Sequence, residues 1–79
     1  MQERRKELRR RTLKGARIVF NNRFSAIDCA VRNLSEHGAM LLVAGQHGIP
    51  DSFELEDGVN TRDCRVIWRD EKRLGVEFA

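Results

Sequence analysis

The sequence predicts an all-β fold, a small six-stranded antiparallel β-barrel that follows a basic N-terminal arm. Six short apolar segments are separated by turn-forming residues, and apolar and polar residues alternate along them. The chain of 79 residues is long enough for one small domain. We therefore expect a single domain over residues 1–79, with the arm at 1–15 and the barrel at 16–79. Closure is favoured because it removes strand edges that would pair with other molecules.

Each predicted strand is rich in β-branched, aromatic or aliphatic residues. The predicted strands are residues 16–20, 25–33, 39–43, 52–56, 63–69 and 73–79. Asn, Asp, Gly and the lone Pro50 fill the links between them, as expected for turns. Before residue 16 the chain is strongly charged and has no apolar stripe beyond Leu8, so we predict a flexible arm there.

Alternation assigns the side chains of the predicted strands to an inner and an outer face. In the fifth predicted strand Cys64, Val66 and Trp68 are expected to face inward, whereas Arg65, Ile67 and Arg69 face solvent. The other residues expected inside are Ala16, Ile18, Phe20, Ile27, Cys29, Val31, Phe53, Leu55, Leu74, Val76 and Phe78.

The positive charge of the protein is concentrated at the N-terminus. Residues 1–17 hold eight basic and two acidic side chains, a net charge of +6, while the remaining residues hold seven basic and ten acidic ones, a net charge of −3. This asymmetry indicates an anionic partner that docks at one end of the chain. A uniformly basic nucleic-acid-binding protein would show a different distribution.

Several functional classes lack support in the sequence. No apolar run approaches the roughly 20 residues of a membrane span, and no signal-peptide segment is present, so we expect a cytoplasmic protein without a membrane partner. Cys29 and Cys64 lack metal-ligand spacing, and buried reduced thiols are expected. His37 and His47 have no neighbours that would complete a nucleophile or metal site, and no acidic pair forms an acid/base couple. We therefore expect no metal, no cofactor and no enzymatic activity.

Two short motifs are candidates for ligand binding. The arm places Arg5 and Arg9 four residues apart, and guanidinium forks bind phosphate and stack on nucleobases. The loop after the second predicted strand contains Asn33, Ser35 and Gly38, where amide and hydroxyl groups can contact a ligand and Gly38 is expected to adopt a positive φ. By itself the arm is also compatible with a solvated charge run, and the loop with a turn whose side chains bond only their own backbone.

Together the motifs resemble those of the PilZ domain family, which carries Arg-x-x-x-Arg before the first strand of a six-stranded barrel and Asp/Asn-x-Ser-x-x-Gly after the second. Arg5 and Arg9 match the first motif, and Asn33, Ser35 and Gly38 match the second. The closing segment is also similar to that of the family, where Gly75, Val76 and Phe78 match a Gly-Val-x-Phe element. The resemblance covers the chain from Arg4 to Ala79.

The resemblance implies binding of cyclic di-GMP, a bacterial second messenger, and a relay of that binding to a downstream protein partner or domain. It assigns the ligand clamp to Arg5 and Arg9, the polar contacts to Asn33 and Ser35, and the turn to Gly38. Arg4 and Arg10 are further candidates, because the arginine run allows a shift of register by one residue. Two alternatives stay open: a PilZ-like protein-interaction module that does not bind nucleotide, and a basic barrel of OB or cold-shock type that binds nucleic acid.

Overall fold

The computed structural model describes residues 14–45 and 48–79, and these form a closed barrel of six antiparallel strands. Residues 1–13 of the predicted arm and His47 lie outside the described residues. The strands are β1 (Lys14–Phe20), β2 (Ser25–Arg32), β3 (Gly38–Leu42), β4 (Ser52–Glu56), β5 (Thr61–Arg69) and β6 (Arg73–Phe78). The prediction of an all-β six-stranded barrel is confirmed, and β1 begins two residues earlier than expected.

The strand order around the barrel is β1-β2-β3-β6-β5-β4, with β4 returning to pair with β1. Every neighbouring pair is antiparallel. Closure therefore leaves none of these strands with an unpaired edge, which removes the usual route to edge-to-edge association. Because neighbouring strands are antiparallel, successive connections along the chain lie at alternate ends of the barrel.

We call one end the loop end. It holds Lys14 at the start of β1, the β2–β3 loop (33–37), the β4–β5 turn (57–60) and the end of β6 at Phe78. The opposite end, the far end, holds the β1–β2 turn (21–24), the segment between β3 and β4, and the β5–β6 turn (70–72).

The interior is filled by inward-facing apolar side chains from all six strands. Ile18, Leu41 and Leu74 have no measurable exposure, and they join residues of the other strands in one cluster. Burial of such side chains contributes roughly 1.5 to 3 kcal/mol each. Alternation thus predicted the core correctly in β2, β4 and β6, and in β1 apart from Val19, which is buried although it falls on the predicted outer face.

The prediction holds for Cys64 and Val66 of β5 but fails beyond them, because a β-bulge interrupts the alternation. Val66 pairs with Val76, but Trp68 pairs with Gly75, so Ile67 is the extra residue. Trp68 therefore lies on the outer face and is 43% exposed. A Cβ atom at position 75 would lie 2.0 Å from the indole Nε1 of Trp68, so only glycine leaves room for the ring there.

The same bulge places Arg69 on the face of Leu74 rather than on the predicted outer face, although the residue stays exposed to solvent as expected. Arg69 pairs with the fully buried Leu74 and reaches the segment that closes the far end. Its guanidinium donates to the carbonyl of Ile49 at 3.1 Å and to the carboxylate of Asp51 at 2.7 Å. Arg69 therefore binds the last residues before β4 to the end of β5.

Cys29 and Cys64 are free thiols buried in the core, as expected. Burial raises the pKa of the Cys29 thiol to about 12 and that of Cys64 to about 11, from an ordinary value of 9.0. Both thiols are thus held in the neutral form in the folded protein, and neither has the character of a reactive nucleophile.

We predict that these thiols make the protein less stable at alkaline pH. Their pKa is higher in the folded than in the unfolded chain, so the stabilising contribution is complete below about pH 9 and is lost as the pH rises towards about 11 and 12. Urea denaturation at several pH values measures this decline. The variant carrying Cys29→Ala and Cys64→Ala serves as the control and should lose stability less steeply above pH 9. If the free energy of unfolding declined equally steeply with pH in both proteins, the two thiols would not be the cause of the decline.

Candidate functional site

The β2–β3 loop is a tight turn that is closed by Ser35. The Ser35 amide donates to the carbonyl of Gly38 at 2.9 Å, and the Ser35 hydroxyl donates to the same carbonyl at 3.2 Å. The hydroxyl oxygen in turn accepts from the amides of His37 and Gly38, each at 3.3 Å. Ser35 therefore holds the loop in shape through its own backbone, which is the Ser-turn arrangement.

Gly38 does not have the positive φ expected from the sequence; that conformation falls on Asn33, whose φ is 52°. Gly38 is required for another reason. It pairs with Glu77 at the start of β3, and a Cβ atom there would lie 2.1 Å from the backbone carbonyl of Val76. The glycine of the motif thus permits a close approach of β3 to β6.

Asn33 combines a left-handed backbone with a side chain that the turn does not use. Asn is one of the few residues that adopts this conformation readily. Within residues 14–45 and 48–79, the structure shows no hydrogen bond from its amide. The donor and acceptor groups of Asn33 are therefore available beside the turn that Ser35 closes.

The start of β1 places the arm next to this loop. Lys14 pairs with Val31, two residues before Asn33. Arg9 precedes Lys14 by five residues, and five extended residues span about 17 Å. The candidate arginines Arg4, Arg5, Arg9 and Arg10 lie outside the described residues, but their point of attachment lies at the loop end.

The loop end also carries a second ordered turn. The carboxylate of Asp57 accepts from the amides of Val59 and Asn60 at 2.9 and 2.8 Å, and its other oxygen lies 3.7 Å from the ammonium group of Lys14. The two backbone donors, first that of Asn60, hold the pKa of the Asp57 carboxyl below its ordinary value. Asp57 thereby fixes the first residue of β1 to the β4–β5 turn.

Most described arginines are neutralised by carboxylates. Ion pairs join Arg17 to Glu56, Arg23 to Glu54 and Glu56, Arg65 to Glu77, Arg69 to Asp51, and Arg73 to Asp70. In the described part of the chain, Arg32 and Arg62 have no such partner. Arg32 ends β2 directly before Asn33, and Arg62 is the second residue of β5, so both lie at the loop end.

Sequence analysis did not single out Arg32 or Arg62. These two arginines differ from the others in that they lack a carboxylate partner. Whether an arginine has such a partner depends on the register between strands that are far apart in the chain. His37, by contrast, lies in the loop as expected, with its imidazole 92% exposed and 3.9 Å from the Glu36 carboxylate.

Two further observations bear on the kind of site. Across the two described ranges, no group of three or more His, Cys, Asp or Glu side chains is placed to hold a metal ion. A search of the same residues for a helix long and apolar enough to cross a membrane finds none.

The described residues thus form a small closed barrel with a structured loop beside the attachment point of a basic segment. The comparison with known families specifies it further, because the family model of the PilZ domain matches residues 3–79. The chain therefore belongs to the PilZ domain family, whose members are ligand-binding or adaptor modules rather than enzymes. No curated protein and no solved structure gives a match.

We predict that Ser35→Ala destabilises the folded protein even without ligand. The substitution removes the hydroxyl that bonds the backbone of His37 and Gly38, and the expected loss is about 1 kcal/mol in the free energy of unfolding. Chemical denaturation measures it. Ser52→Ala is the matched control, because Ser52 is exposed and makes no side-chain hydrogen bond among the described residues. If both variants are equally stable, the turn does not depend on the hydroxyl.

Proposed function

We propose that this PilZ domain binds cyclic di-GMP between its basic arm and the β2–β3 loop, without performing chemistry on it. The observation that carries the proposal is the pairing of Lys14 with Val31, which brings the arm and the loop to the same end of the barrel. Arg5 and Arg9 act as the clamp, and Asn33 supplies a polar contact from the barrel. Arg4 and Arg10 extend the clamp if the register shifts by one residue.

The geometry supports distinct roles for the three loop residues. Asn33 has an amide that the turn leaves available, so it is the best candidate for a direct hydrogen bond to the ligand. Ser35 bonds backbone atoms of the turn, so we assign it first to holding the loop, and a ligand contact would use its remaining hydrogen-bonding capacity. Gly38 allows β3 to approach β6 and so keeps the loop close to the barrel.

The energies are compatible with this arrangement. Micromolar affinity requires about 8 kcal/mol, and ordering a segment on binding costs roughly 2 to 5 kcal/mol or more. Each hydrogen bond to a charged group contributes about 1.5 to 3 kcal/mol, so two arginine forks and the loop contacts together meet the requirement. A single arginine would not.

Binding would be relayed through the arm. A ligand that bridges the arm and the loop favours the conformations in which the two are close, and it shifts the population of the arm towards them. The surface formed by the ordered arm would then be read by a protein partner or an attached domain.

We predict that Arg9→Ala abolishes calorimetrically detectable binding of cyclic di-GMP while the barrel stays folded. Loss of one arginine fork removes two charge-assisted hydrogen bonds, which corresponds to about 100-fold or more in affinity. Isothermal titration measures the affinity, and circular dichroism checks the fold. Lys72→Ala is the charge control, since Lys72 lies in the β5–β6 turn at the far end.

The same titration tests the proposal as a whole. Saturable binding of cyclic di-GMP, with no binding of GTP or single-stranded DNA, supports it. An unchanged affinity in Arg9→Ala would remove Arg9 from the clamp. Absence of any heat with the unmodified protein, or strongly salt-dependent binding of DNA in its place, would overturn the function.

We predict that Asn33→Gly weakens cyclic di-GMP binding about tenfold without lowering stability. Glycine accepts the positive φ of position 33 but lacks the amide, so the substitution separates the ligand contact from backbone strain. Asn33→Ala is the comparison variant and should also lose stability, because alanine is strained at this φ. Equal ligand affinity of Asn33→Gly and the unmodified protein would exclude a contact from the amide.

A further inference from the structure

A hollow at the mouth of the barrel, between the β2–β3 loop and the start of β5, has features of a second contact region. Its volume is about 600 Å³, and polar groups form most of its lining. Glu36 and His37 line it from the loop, Arg62 and Asp63 from β5, and Phe78 from the end of β6. The amide of Phe78 donates to the carbonyl of His37 at 2.8 Å, so the hollow is joined directly to the loop.

Arg62 occupies a position on the inner side of the barrel wall. Its register partner on β4 is Leu55, which is buried, and the next inward residue along β5 is Cys64. At the loop end the exposed Arg62 side chain lines the hollow. Arg69 has the corresponding place at the far end, but there the guanidinium is bound to carbonyl oxygens and to Asp51.

The Arg62 guanidinium is oriented by an aromatic ring. Its central carbon lies over the ring of Phe78, 4.5 Å from the centroid. The attraction between a guanidinium and the face of an aromatic ring at this distance restricts the positions of the Arg62 head group. Arg62 therefore offers a fork whose orientation is partly fixed before any ligand binds.

The fork is also chemically available. Five of the seven described arginines, at 17, 23, 65, 69 and 73, are paired with carboxylates, whereas Arg62 makes no ion pair or side-chain hydrogen bond within the described residues. A guanidinium that is held in place and not neutralised binds two coplanar acceptor atoms well.

We propose that Arg62 is a third arginine contact for the nucleotide, supplied by the barrel rather than by the arm. Its fork takes a pair of coplanar acceptors, which cyclic di-GMP offers both as phosphate oxygens and as O6 and N7 of guanine. The inference rests on the proposed function. It differs from the arm contacts in that Arg62 is positioned by Phe78 in the ligand-free protein.

The test is the affinity for cyclic di-GMP of Arg62→Gln, Arg62→Lys and a charge control, Lys72→Gln. We expect Arg62→Gln to weaken binding about tenfold or more, Arg62→Lys to be intermediate because the charge remains without the fork, and Lys72→Gln to stay within about twofold. Thermal denaturation of each variant shows whether the loss of the Phe78 contact has affected the fold.

Two further arms identify the acceptor pair. Binding of cyclic di-GMP that carries 7-deazaguanine is compared between the unmodified protein and Arg62→Gln. If the fork holds O6 and N7, the analogue weakens binding only when Arg62 is present. If the fork holds a phosphate, the loss of affinity caused by the analogue and the loss caused by Arg62→Gln add. The decrease of log affinity with log salt concentration is then less steep by about one for Arg62→Gln. Both results support the contact.

An affinity of Arg62→Gln equal to that of the unmodified protein overturns the contact while the proposed function stands. If the unmodified protein does not bind cyclic di-GMP, the proposed function fails, and this inference fails with it. A tenfold loss shared by Lys72→Gln would show a general charge effect and would also overturn the assignment.

Discussion

The antiparallel pairing of β1 with β2 is the constraint on which the arrangement of the site depends. Seven consecutive residue pairs fix the register of these strands, from Lys14 opposite Val31 to Phe20 opposite Ser25. Because the chain before Lys14 and the loop after Arg32 leave the same end of this pair, the attachment point of the basic segment lies beside the amide-bearing loop. A slip of one residue would turn the core side chains of the shifted strand to solvent, either Ile18 of β1 or Cys29 and Val31 of β2, so burial of the core protects the geometry of the site.

The loop itself illustrates how one short motif divides structural and recognition roles. Ser35 and Gly38 are explained by the fold, the first by the backbone bonds it makes and the second by its contact distance from Val76. Asn33 adopts the strained conformation and keeps its amide clear of the turn. Strain at a residue that also offers an unused polar group is typical of a position kept for binding, since a glycine would satisfy the backbone alone.

Charge pairing gives the two ends of the barrel different characters. At the far end Arg69 and Arg73 are engaged with Asp51 and Asp70, and the Asp70 carboxyl has a lowered pKa because Arg73 donates hydrogen bonds to it. At the loop end the guanidinium groups of Arg32 and Arg62 have no carboxylate partner among the described residues. Two unpaired guanidinium groups therefore lie near the point where the arm begins, together with the carboxylates of Glu36 and Asp63.

The sequence by itself determined the fold class, the six strands and most of the core, because alternation and turn residues are local signals whose reading requires no knowledge of distant partners. It did not assign Val19, Leu41, Val43 or Ile49 to the interior, and these are buried as well. It also determined the motif residues of the loop, although not which of them takes the positive φ. Tertiary structure alone decided the faces of Trp68 and Arg69, since the bulge at Ile67 arises from how β5 pairs with β6. It likewise decided which arginines are neutralised, because an ion pair such as that of Arg17 and Glu56 joins residues that only the register of two strands brings together.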